Sequence, residues 1–126
     1  MIRKSLIASA VALAGVFATS LATAHGVADP QHGGVVQGSA DLSFELVAQP
    51  GGALIYVMDH DDEADVAKYS GKLTVLNGSA KSEGEIKPAG GNKLEVKGVA
   101  LAKGAKAVAV IEGAGRKAIT VRFTMR

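Results

Sequence analysis

Apolar and polar residues alternate with a period of two through most of the chain beyond residue 40, and that period suits half-buried strands rather than helices. In "DLSFELVAQ" (41–49), Leu42, Phe44 and Leu46 alternate with Ser43 and Glu45. In "KAITVRFTM" (117–125), Ile119, Val121, Phe123 and Met125 share one face and Thr120, Arg122 and Thr124 the other. Between such runs stand turn signals: "PGG" at 50–52, Asn77-Gly78, "AGGN" at 89–92 and "GAG" at 113–115. Asn-Gly suggests a type I′ hairpin, which needs positive φ at both central positions. Gly84 inside "AKSEGEIKP" suggests a bulge. "LAKGAK" (101–106) has the character of a crossover before the penultimate strand, and "DDEADVAKYSG" (61–71) of a single helical turn or a further strand. Short strands with a turn signal every ten residues or so predict an all-β fold, an immunoglobulin-like antiparallel β-sandwich of seven or eight strands.

The first 24 residues are set apart from this pattern. Arg3 and Lys4 precede an uncharged apolar run (6–18), and Ala22-Thr23-Ala24 fits the small-x-small rule of a cleaved secretory signal. As a helix the run spans roughly 20 Å, short of the ~30 Å hydrocarbon core, so no membrane anchor is expected. The expectation is export to the periplasm with cleavage after Ala24. That leaves residues 25–126 as a single domain whose segment 25–34 is flexible.

The chain has no cysteine, which excludes disulfide scaffolds and thiolate metal sites. Its net charge of +2 disappears with Arg3 and Lys4, and a balanced surface gives no basis for nucleic-acid binding. No G-x-S-x-G elbow, P-loop or H-E-x-x-H helix is present, so no enzyme is predicted. A copper-dependent oxidase built on His25 is a distant third option.

Chemistry concentrates around the three histidines. Cleavage after Ala24 would leave His25 first, and such a residue offers a metal both its α-amine and its imidazole. A second imidazole completes a nitrogen set suited to Cu(II), with Zn(II) or Ni(II) as alternatives. A frayed terminus is the plain alternative. His32, in "PQHGG", can be aimed inward by the turn at Gly33 and Gly34, or can simply be exposed in it. His60 lies in "YVMDHDDEAD" (56–65), where a strand running that far would put Met58 and His60 on one face and Asp59 and Asp61 on the other. Most of these carboxylates read as a solvated loop, and the metal candidates there are His60 with Asp59 or Asp61. An EF-hand is excluded, since Ala64 and Ser70 stand where Gly and Glu are required. Cu(I) finds only Met58 and Met125 in the mature part. The apolar run 53–58 is either a covered central strand or a sticky patch able to form a homodimer.

In "HGGVV", "FELVAQPGGALIYVMDHDDEAD" and "LNGSAKSEGEIKPAGGNKLEVKG" the chain resembles small exported bacterial β-sandwich proteins. These look like the N-terminal heavy-metal-associated domain of some periplasmic adaptor subunits of cation-efflux pumps. The resemblance implies a role near metal homeostasis, an efflux component as a partner, and His32 and Asp59-His60 as the matching residues. The sequence lacks the adaptors' coiled-coil hairpin and lipoyl-like segment, which implies binding rather than bridging. A looser likeness is to periplasmic copper-resistance sandwiches whose mature chain begins with histidine; there His25 and the Asp-His pair match. The expected function is therefore a periplasmic copper carrier or buffer, with a metal-free interaction module as the alternative.

Overall fold

The computed structural model describes residues 27–113, 115 and 117–126; the signal-like segment and His25 lie outside them. The alternating runs form strands β1 (Val35–Ser39), β2 (Leu42–Gln49), β3 (Gly52–Asp59), β4 (Asp62–Glu63), β5 (Ser70–Asn77), β6 (Ala80–Pro88), β7 (Lys93–Lys97), β8 (Lys106–Glu112) and β9 (Ile119–Thr124). Every pairing is antiparallel. Eight strands follow one path, β1-β2-β3-β7-β6-β5-β8-β9, and the two-residue β4 pairs with β3 alone. The path curls so that its ends, β1 and β9, come alongside each other. The all-β antiparallel fold expected from the alternation is the one observed, as a nearly closed, sandwich-like body.

Register carries the alternation around the body. Ala53 pairs with Val96, Val96 with Ile86, Ile86 with Gly71, Gly71 with Ile111, and Ile111 with Ile119. This row of inward positions, with Phe44, Leu46, Ile55, Leu73, Val75, Leu94 and Phe123 above it, fills the core. Fully burying one such aliphatic or aromatic side chain contributes about 1.5–3 kcal/mol, and that burial is what holds the strand phase. No helix among the described residues is long and apolar enough to cross a membrane.

Two crossovers close the ends. The segment 98–105 leaves β7 and passes β6 and β5 to reach β8, as expected of "LAKGAK", inserting Val99 and Ala105 into the core. The segment 64–69 follows β4 and buries Val66 completely, so "DDEADVAKYSG" supplies a short strand and a crossover, not a helix.

Two local expectations are corrected. Asn77 pairs with Ala80, so the hairpin centre is Gly78-Ser79, and only Gly78 takes a positive φ (63°). Asn77 is thereby freed to latch the crossover, donating to Ala100 O (2.8 Å) and accepting from Ala102 N (3.2 Å). At Gly84 there is no bulge, because the β5–β6 register runs through it unbroken. A Cβ there would instead collide with the Lys97 carbonyl and approach Val96 Cγ1 at 2.6 Å. Glycine at 84 is what lets the end of β7 pass so close. Gly84→Ala is accordingly expected to destabilise the fold by about 1–3 kcal/mol, measured as a lower midpoint in urea unfolding.

Candidate functional site

Ser43 and Glu45 occupy outward positions of β2, yet both are buried, Glu45 at 5% exposure. What covers them is the segment 27–34, which lies along the outer face of β1–β3. Ala28 N donates to Ser43 Oγ (2.9 Å). Three backbone amides converge on the Glu45 carboxylate: Gln31 at 2.9 Å to Oε1, and His32 and Gly34 each at 2.8 Å to Oε2. The His32 ring adds a fourth contact, Nδ1 to Oε1 at 3.1 Å. A carboxylate only accepts, so Nδ1 carries the proton and Nε2 holds the lone pair of the neutral ring. In the described part of the segment expected to be flexible, residues 27–34, these hydrogen bonds join the chain to the sheet through a buried charge.

The turn at Gly33 and Gly34 lays the imidazole flat on Tyr56 of β3, with ring centroids 3.5 Å apart and planes 5° from parallel. Glu45 and Tyr56 are direct cross-strand partners, so one register pair supplies both the anchor and the platform for His32. Ser43 and Met58 form the next outward pair, under Ala28. Asn92 braces that end of β3, accepting from Val57 N through its carbonyl (3.0 Å) and donating through Nδ2 to Val57 O (3.1 Å). Neither Glu45 nor Tyr56 stood out in the sequence. A charged residue in the polar phase of a strand reads as solvent-facing, and only the covering segment makes it otherwise.

The second histidine is placed differently from expectation. β3 ends at Asp59, so His60 does not share a strand face with Met58; it stands with Asp61 at the centre of the β3–β4 turn. Its φ of 60° is uncommon for a residue with a side chain. That turn brings Asp59 Oδ1 to His60 Nδ1 at 2.9 Å, a contact that two residues within a regular strand could not make. Asp61, Asp62 and Glu63 are exposed, and Asp65 accepts from Ala67 N (3.0 Å), in keeping with the solvated-loop reading for these carboxylates.

The two described histidines do not meet. His32 sits over Tyr56 within β3, and His60 stands in the turn beyond that strand's end. Among the described residues no three His, Cys, Asp or Glu side chains converge as a metal cage. Each described ring nevertheless has the same arrangement: Nδ1 on a carboxylate, and Nε2 without a hydrogen-bond partner among the described residues. A histidine ligand held by a carboxylate behind it looks like this. β3 is paired on both sides, by β2 and β7, so the run 53–58 presents no free edge to a second copy.

Comparison with protein-family models, curated proteins and solved structures found no match to this chain.

Burial by itself raises the Glu45 pKa, but the donors from Gln31, Gly34 and His32 outweigh it and hold the carboxyl below its ordinary value. A depressed carboxyl contributes stability above its unfolded-state pKa, about 4.3, and that contribution is lost as pH falls through the folded value. Glu45→Gln should cost roughly 1–3 kcal/mol at neutral pH, and the deficit should shrink on acidification. Denaturation of both proteins at a series of pH values checks this; a deficit unchanged at low pH would contradict it.

Proposed function

We propose that the protein is a periplasmic binder of a divalent transition metal, Cu(II) before Zn(II) or Ni(II), acting as a carrier or buffer in metal homeostasis. The observation that carries the reading is the shared arrangement of His32 and His60, each with Nδ1 held by a carboxylate and Nε2 left for a ligand bond. Imidazole and carboxylate donors without thiolate suit these metals.

The described residues fit only part of such a site, since they contain no complete donor set. The reading therefore needs His25, first in the chain if cleavage follows Ala24, to add an amine and a second imidazole to His60. Asp59 is engaged with His60 Nδ1 and orients that ring, which leaves Asp61 as the carboxylate donor. His32, bound to Glu45 and distant from His60, is an alternate ligand outside this set. An exported chain holding one Cu(II) on exposed donors would release it by ligand exchange, as a carrier or buffer must. An efflux component is the proposed recipient.

The metal-free interaction reading uses the 53–58 strand, whose outward residues Leu54, Tyr56 and Met58 are half-buried, and a second apolar face adds to it. Leu76 and Val110 are 42% and 39% exposed on the outer side of β5 and β8.

Titration of the chain beginning at His25 with Cu(II), followed by its visible and paramagnetic resonance spectra, tests the proposal. One equivalent should bind through nitrogen donors. Both one added N-terminal residue and His60→Ala should weaken binding by at least roughly tenfold, each removing a chelating donor. Binding unchanged by either alteration would reject this ligand set. Absence of Cu(II), Zn(II) and Ni(II) binding, with a concentration-dependent dimer, would favour the interaction reading.

A further inference from the structure

The outward positions of β5 and β8 differ from those of the strands beside them. On β6 and β7 the corresponding positions hold Glu83, Glu85, Lys87, Glu95 and Lys97. On β5 and β8 they include Thr74, Leu76, Val108 and Val110. Leu76 and Val110 are two of the three large hydrophobic residues exposed among the described residues, so the apolar surface is gathered on this face.

Register gives the face a polarity. Thr74 pairs with Glu83 of β6 on one side and Val108 of β8 on the other, and Val108 pairs with Arg122 of β9. One row across the strands therefore reads Glu83, Thr74, Val108, Arg122: an anion, two uncharged side chains and a cation. Three strand spacings put its charged ends about 14 Å apart, too far to pair within one chain. Lys72 (3.6 Å) and Lys81 (3.3 Å) hold the Glu83 carboxylate, whereas exposed Arg122 makes no ion pair among the described residues.

A row with opposite charges at its two ends is complementary to the same row turned round. A two-fold axis parallel to the strands and midway between β5 and β8 sets Glu83 over the partner's Arg122, and Thr74 over the partner's Val108. Leu76 is paired with Lys106 and Val110 with Lys72, so the same axis lays each apolar side chain against a lysine of the other copy. Lysine stems cover apolar surface while their ammonium groups reach water.

We propose that the outer face of β5 and β8 docks a second copy of this chain, through reciprocal Glu83–Arg122 ion pairs around an apolar centre. Such a contact is isologous and closes as a dimer. β5 runs for eight residues, about 27 Å, and four strands span about 19 Å, so each copy buries roughly 500 Å², the scale of a weak and reversible association. β2 and β3 lie four strands away along the eight-strand path, which leaves His32 and His60 free in the pair. The dimer is independent of metal, and it gives the Leu76–Val110 face an occupant.

Sedimentation of metal-free protein beginning at His25, from roughly 10 μM to 1 mM, should show a monomer–dimer equilibrium. Added salt should weaken it, since the paired charges are near solvent. Glu83→Arg and Arg122→Glu should each weaken self-association by at least roughly tenfold, because each sets like charges opposite one another. Mixed in equal amounts, the two variants should associate with each other at close to the original strength, each supplying the charge the other lacks. Both positions are exposed, and circular dichroism should show both variants folded. A monomer at every concentration, association that neither substitution changes, or a mixture that stays monomeric overturns the inference. A charge-dependent dimer in a protein that binds no metal sustains the pairing and rejects the metal reading alone; a monomer that binds Cu(II) does the reverse.

Discussion

Glu45 stands in the outward phase of β2, where a charged side chain is ordinarily left to water. Here it is nearly inaccessible, and a carboxylate removed from solvent needs every lone pair occupied. The segment before β1 meets that demand with the amides of Gln31, His32 and Gly34 and the ring of His32. The dependence is mutual. Without the carboxylate, the amides of Gln31, His32 and Gly34 would lose their acceptor; without the segment, Glu45 would be one more exposed strand residue. Charge-assisted hydrogen bonds of this kind are about twice as strong as neutral ones.

The two described histidines show how one residue type is held by two mechanisms. His32 is fixed by tertiary contacts, a ring stacked on Tyr56 and a bond to a carboxylate thirteen positions along the chain. His60 is fixed by its neighbour, through a left-handed backbone position that returns its ring to Asp59. The first arrangement requires the sheet to exist; the second needs only the turn. Their separation along β3 gives them different parts to play, one beside the buried anchor and one at the exposed rim.

The body beneath them is organised so that this face can be built. β3 lies between β2 and β7, and its inward residues Ala53, Ile55 and Val57 are fully buried, so the register that sets Glu45 against Tyr56 is fixed by the core. A slip of one residue would turn Glu45 into the interior and Leu46 out to solvent. The crossovers hold the far side in the same way. Asn77 latches one of them, and Gly84 clears the path of the Lys97 carbonyl.

Local pattern was enough to read the antiparallel all-β class, most strand positions, the Pro50-Gly51 turn and the crossover before β8, because period-two burial and turn residues act over a few positions. Candidate donors could likewise be named from residue type, since ligand chemistry belongs to the side chain. Other features have no local signature. The end of β3 one residue before His60, the shift of the β5–β6 turn to Gly78-Ser79, and the straight ladder through Gly84 all follow from pairing with distant strands. The same holds for Glu45: whether a glutamate in the polar phase faces water or anchors another segment depends on what the folded chain lays over it, and that covering is separated from it by a whole strand and a hairpin.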